Sequence, residues 1–199
     1  MKITFLGTGT SQGVPVIACN CEVCQSLDYR DKRLRTAIHI EVDGKSFVID
    51  AGPDFRQQML RERIHKLDAV IFTHEHKDHT AGLDDVRAYN FFQKRDMPVY
   101  GREQVLEQIK REFAYAFAEI RYPGIPQINL CPIENQPFEI EGVNFLPIEV
   151  LHYKLPVFGY RIGDFAYITD VNYISAHELA KVKGVKVLVL GALRREKHL

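Results

Sequence analysis

Seven consecutive residues, Thr73-His74-Glu75-His76-Lys77-Asp78-His79, restrict this chain more than any other stretch. They follow Asp68–Phe72, a short apolar run that reads as a buried strand, so the histidines begin where a strand ends. His74 and His76 lie two apart, and in an extended backbone that spacing projects both side chains the same way. Asp78 and His79 follow on a turn and can aim at a nearby point. Imidazole and carboxylate donors suit zinc, manganese or iron at about 2.0–2.2 Å. Four such donors within six residues can address two metals. The plainer reading, an exposed polar loop, gives no chemical reason for gathering them.

Around this run, strands and helices alternate with no linker, repeat or low-complexity segment, which predicts a single domain over 1–199. Lys2–Leu6 reads as a strand ended by the glycine-broken stretch Gly7 to Pro15. Asp43-Gly44 is a two-residue hairpin signal that pairs Ala37–Val42 with Lys45–Asp50. Asp54 is expected to cap a helix with Phe55, Met59 and Leu60 on one face. Leu83–Phe92 reads as helical, Pro98–Tyr100 as a short strand and Arg102–Phe117 as the longest helix. Hairpins are predicted around Gly142 and Gly163-Asp164, then a helix over Tyr173–Val182 and a buried strand over Val185–Leu190. Strand pairs early and late, with helices between, define an α+β chain with two mixed β-sheets flanked by helices.

Formal net charge is zero, from 26 basic and 26 acidic residues, which weighs against a nucleic-acid partner and favours a small-molecule substrate. No run approaches the length of a membrane span, and Met1-Lys2-Ile3-Thr4-Phe5-Leu6-Gly7 is too soon broken for a secretory signal. A cytoplasmic protein with no membrane partner is the expectation. In that reducing setting Cys19, Cys21 and Cys24 offer three thiolates to one tetrahedral metal, or are simply three reduced thiols in a loop. Cys131 reads as a small core filler, and His39, His65 and His177 as ordinary packing or solvated residues. Phe91-Phe92 and Phe113–Phe117 are assigned to the core, with a homodimer interface left open.

The pattern His74-x-His76-x-Asp78-His79 resembles the signature of the metallo-β-lactamase superfamily. That resemblance implies an αββα sandwich and two divalent active-site metals, zinc first, manganese or iron as alternatives. It maps a later histidine ligand onto His152 and a bridging aspartate onto Asp170. Asp50 resembles the aspartate that orients such a site through hydrogen bonds, although it can also simply start the next turn. The opening Leu6-Gly7-Thr8-Gly9-Thr10-Ser11-Gln12-Gly13-Val14-Pro15, the trio Cys19, Cys21, Cys24 and the segment Gly82-Leu83-Asp84-Asp85-Val86-Arg87 are similar to the PhnP-like cyclic phosphodiesterases. In that branch the cysteine trio helps hold a structural zinc.

The resemblance implies a phosphodiesterase acting on a small, cyclic phosphodiester through hydroxide activated by the two metals. Asp78 would orient the nucleophile or relay a proton, and His198 would protonate the leaving oxygen or supply a ligand. Alternatives on the same fold are a tRNA 3′-processing endonuclease and a thioester or lactam hydrolase; a noncatalytic metal-binding protein is the remaining class. The family's last metal ligand and the fourth cysteine-site ligand come from a His-x-x-His segment that Arg194-Arg195-Glu196-Lys197-His198-Leu199 does not contain. A missing C-terminal part, and hence a weak second metal site, is therefore expected.

Overall fold

The computed structural model describes residues 1–120 and 122–193. It comprises two compact units, Met1–Pro132 and Ile133–Leu199. Each unit is built on one mixed sheet.

In the first unit the strands are β1 (Lys2–Gly7), β2 (Ala37–Val42), β3 (Lys45–Ile49), β4 (Ala69–Ile71), β5 (Met97–Gly101) and β6 (Ile128–Pro132). They lie side by side in chain order, antiparallel from β1 to β3 and parallel from β3 to β6. β4 is buried along its whole length, as a parallel strand covered on both faces must be, which is why Ala69-Val70-Ile71 is continuously apolar. The β2–β3 turn carries both residues at positive φ, Asp43 at 49° and Gly44 at 73°, as a type I′ hairpin requires. The short helices are α1 (Glu22–Gln25), α2 (Phe55–Arg61), α3 (Lys77–Thr80), α4 (Arg87–Gln93) and α5 (Glu103–Glu112). Leu6, Val48, Phe55, Val70, Phe72 and Leu83 belong to the core cluster.

Several local expectations change. Asp54 makes no capping bond; its carboxylate accepts from Arg35 N at 2.8 Å and Arg35 Nη1 at 2.9 Å. The Arg35 guanidinium and N–H together claim both carboxylate oxygens, leaving neither for the helix end. α2 buries Phe55, Gln58 and Met59, while Leu60 is exposed, because the Gln58 amide turns inward to donate to Arg35 O. α5 is shorter than the apolar pattern suggests, since the chain leaves the helix at Phe113 and buries that ring. β6 carries little signal in sequence: it is an outer strand of its sheet, so its apolar alternation is weak. Cys131 is only half-buried on it. Phe91 and Phe92 are exposed rather than core.

The second unit contains β7 (Phe138–Ile140), β8 (Val143–His152), β9 (Leu155–Ile162), β10 (Phe165–Ile168), β11 (Tyr173–Ile174), α6 (Ala176–Ala180) and β12 (Val187–Leu190). The sheet order is β11-β8-β9-β10-β12, with β7 also on β8; β10 and β12 run parallel and the other pairs antiparallel. β8 and β10 therefore point the same way, and their C-terminal ends share one edge of the sheet. Ile148, Val150, Val157, Ala166 and Ile168 form the core here. The helix expected over Tyr173–Val182 is instead β11 followed by α6, whose N-terminus Ser175 caps by accepting from Glu178 N. β12 is largely exposed rather than buried. No helix among the described residues is long and apolar enough to cross a membrane.

Candidate metal centre

Parallel pairing of β3 with β4 brings their C-terminal ends together, and the candidate site is assembled at that edge. Asp50 follows β3 with φ at 69°, its N–H donating to Ile71 O at 2.9 Å. Its carboxylate is fully buried and is held by Thr73 and His79. Thr73 N donates to Oδ1 at 2.9 Å, the Thr73 hydroxyl donates at 2.9 Å to Oδ2, and His79 Nδ1 lies 2.8 Å from Oδ2.

These bonds fix two imidazole tautomers. The single Thr73 hydroxyl proton goes to Asp50, so Thr73 Oγ1 accepts from His74 Nδ1 at 3.0 Å. The His74 proton is then on Nδ1 and its Nε2 carries a lone pair. His79 is oriented in the same way, with Nδ1–H toward Asp50 and Nε2 directed elsewhere. His74 Nε2 lies 3.0 Å from His76 Nδ1, and His79 Nε2 lies 3.2 Å from Asp78 Oδ2. Two donors on one tetrahedral ion at about 2.05 Å would stand about 3.3 Å apart. Both pairs match that bite, and the His74 and His79 rings are 4.1 Å apart between centroids. The donor chemistry and spacing therefore fit a divalent cation. One buried carboxylate organises both halves.

Close backbone contact holds the run in place. Ala51 N donates to His79 O at 2.7 Å and Gly82 N to Ala51 O at 2.9 Å. A Cβ on Gly52 would lie 1.9 Å from Asp78 O, and one on Gly82 would lie 2.0 Å from Gly52 O. Thr73 and these glycines carried no assigned role from sequence. Thr73 adjoins the histidines without any pattern that marks it, and close approach of two backbones leaves no trace in composition.

In the second unit His152 ends β8 and Asp170 follows β10, both half-buried and at the same sheet edge. Asn172 ties their surroundings together: its N–H donates to Leu151 O at 2.8 Å and its Oδ1 accepts from Tyr153 N at 2.9 Å. Asp170 leaves its strand at φ 46°. His198 lies outside the described residues.

The cysteines form a separate cluster. Cys21 precedes α1 and Cys24 lies within it, and the Sγ atoms of Cys19, Cys21 and Cys24 are all within 4.8 Å of one another. A tetrahedral zinc with bonds of about 2.3 Å sets its sulfurs about 3.8 Å apart, so the trio suits one such ion. The Cys24 backbone N–H, with help from the Cys19 thiol, holds the Cys21 thiol below the usual range, whereas at Cys24 the Val16 N–H is outweighed by burial and the neighbouring thiols, which push that thiol up. His39, by contrast, is buried against Ser46 Oγ at 2.8 Å, where burial pushes its pKa down; His65 and His177 are exposed.

With the fold and donors described, the chain belongs to the β-lactamase superfamily: the model of the beta-lactamase superfamily domain matches residues 45–199. Its two mixed sheets with helices are the metallo-β-lactamase fold. Within that class it is similar to a diphosphatase from the PhnP family known from a crystal structure. The two are 40% identical with a TM-score of 0.91, and the match covers 98% of this chain and 75% of that one. An octanoyltransferase of Porphyromonas gingivalis is 42% identical over 200 residues, 100% of this chain and 40% of that protein. A ribonuclease Z of Methanococcus maripaludis is 28% identical over 202 residues, 99% of this chain and 58% of that protein. The chain thus spans about half the length of these two curated relatives.

Proposed function

We propose that the protein is a metal-dependent hydrolase of small phosphoric diesters or anhydrides. The observation that carries this reading is the pair of donor bites, His74 with His76 and His79 with Asp78, both organised by Asp50. In this reading, taken from the family resemblance, His74, His76 and His152 would hold one cation, and Asp78, His79 and Asp170 would serve a second. Bound divalent metals would supply Lewis acidity and a water of lowered pKa.

The chain's own residues do the rest. Asp50 and Thr73 keep His74 and His79 in the Nδ1–H tautomer, so that neither ring must reorganise during turnover. The Asp78 side chain is 18% exposed, and it is the carboxylate of the site that can both orient an attacking water and accept its proton. Protonation of the leaving oxygen is assigned to His198. Phosphorus as the reacting centre is supported by the similarity to a PhnP-family diphosphatase across nearly the whole chain.

A second reading, hydrolysis of an acyl thioester, is prompted by the likeness to part of a relative named octanoyltransferase, the match covering 40% of that protein. Bis(p-nitrophenyl) phosphate, a nucleotide diphosphate ester and octanoyl-thioester, offered with zinc or manganese, separate the two. Turnover of a phosphorus substrate, lost in Asp78→Ala, is expected. Turnover of the thioester alone would replace the first reading with the second. A tRNA precursor added as a fourth substrate tests the endonuclease reading, against which the zero net charge weighs.

A further inference from the structure

Away from the histidine run, α4 and the segment leading into β6 line a half-open cavity of about 640 Å³, a size typical of small-molecule sites. Its two walls are tied by one side chain. Asn90 Nδ2 donates to Arg95 O and Gln127 O, each at 2.9 Å, and Asn90 Oδ1 accepts from Gln127 N at 3.0 Å. The cavity is therefore preformed rather than a gap between independent loops.

The lining has two characters. Among the described lining residues, Arg87, Lys94 and Arg95 are cationic and Asp85 is a carboxylate. Arg95 is committed to the buried Asp68 at 2.6 Å. Arg87 stands 3.4 Å from Asp84, an exposed pair of the kind that contributes little in water, so an anion can compete for it. The remaining positive charge sits on Lys94 and Arg87. The apolar part is Phe91 and Phe92, 65% and 78% exposed, an uncommon outlay of aromatic surface for adjacent helix residues. Lys94 Nζ lies 4.1 Å from the Phe91 centroid and covers that ring. Phe91 and Phe92 are T-shaped, at 86° with centroids 5.2 Å apart, and the 78% exposure of Phe92 leaves ring surface for a planar partner.

We propose that this cavity binds a nucleoside monophosphate, its base stacked on Phe92 and its phosphate held by Lys94 and Arg87. The volume admits base, sugar and phosphate together, and the lining supplies an exposed flat ring, two cations and a polar amide wall. None of the histidine-run residues takes part, so the proposal stands apart from the hydrolase reading.

The test is calorimetric titration of the metal-loaded protein with AMP, repeated with ribose 5-phosphate. Saturable binding of AMP is expected, about tenfold tighter than the base-free sugar phosphate. Phe92→Ala and Lys94→Ala should each weaken AMP by about tenfold, with unfolding temperature unchanged for the exposed Phe92. Asp50→Asn, which disturbs only the metal donors, should leave AMP binding as it is. Equal affinity for the two ligands, no saturation at millimolar AMP, or a loss in Asp50→Asn but not in Phe92→Ala would overturn the proposal. So would sedimentation showing a dimer that Phe92→Glu dissociates, since the aromatic pair would then serve a second copy of the chain.

Discussion

Replacing Gly52 by alanine tests whether the metal donors depend on backbone contact rather than on side chains alone. The new Cβ would lie 1.9 Å from the Asp78 carbonyl oxygen, whereas real Cβ atoms essentially never come within 3.0 Å of a neighbour. One of the two backbones must therefore retreat by about 1.1 Å. Neither can do so alone, because Ala51 N bonds His79 O and Gly82 N bonds Ala51 O. Displacement passes directly to Asp78 and His79. Overpacking of this kind costs about 1–3 kcal/mol, and at this chain length each kcal/mol lowers Tm by about 2–4 °C. A fall of about 2–12 °C is expected by calorimetry, together with a loss of metal affinity of about 10–100-fold measured against a chromophoric chelator. Gly163→Ala is the control. Its φ of 55° is strained for alanine but nothing lies within 4 Å of the added atom. It should lose about 1–2 kcal/mol while binding metal as before. A Gly52→Ala protein with unchanged Tm and metal affinity would refute the reasoning.

Asp50→Asn should lower metal affinity by about 10–100-fold, because the amide NH₂ faces donors on Thr73 or His79 and at least one imidazole loses its orientation; chelator competition measures it. Cys21→Ser should remove one zinc per chain in elemental analysis, and unchanged stoichiometry would show that the trio binds none. Burial pushes the Glu178 carboxyl up, but Lys181, the Glu149 N–H and the Asn135 amide outweigh it and hold the pKa below the ordinary 4.5. A depressed folded pKa gives stability that is complete above about pH 4.5 and lost as the pH falls through the folded value. Denaturant titrations should therefore show wild type exceeding Glu178→Gln most at neutral pH, with the gap closing under acid. A gap constant with pH would disprove that linkage.

Much of the architecture was legible where a local signal agrees with the tertiary demand. Asp43-Gly44 and Gly163 specify turns by their φ, and the apolar runs of β3, β4 and β10 are what strands buried on both faces require. The histidine run was legible for another reason: donor types at spacings of two and four residues have few uses besides metal. What could not be read is context. β6 and β12 lie at sheet edges, where burial is partial and alternation fades. Phe91 and Phe92 sit on the outer side of α4, and nothing in their own letters separates a core pair from an exposed one. Asp54 reads as a cap from its neighbours in sequence; Arg35, 19 residues earlier, claims it instead.

Backbone conformation explains why two aspartates matter in a way their letters do not show. Asp43, Arg63, Lys94 and Glu141 take positive φ in hairpin turns or just past helices, where left-handed residues are ordinary. Asp50 and Asp170 do so at the ends of β3 and β10, at φ 69° and 46°, and both are candidate site residues. Such a conformation costs of order 1–3 kcal/mol unless the surroundings impose it. At Asp50 they do: the carboxylate that turns inward is held by Thr73 and His79. The strain is thus coupled to the donors, and a substitution there acts in two ways at once. Alanine removes the charge and also a residue type that tolerates left-handed backbone; asparagine removes the charge alone. Asp50→Ala should therefore lose more stability than Asp50→Asn at equal loss of metal affinity. Equal losses of stability would mean that the left-handed turn at Asp50 is imposed by the sheet and not by its side chain.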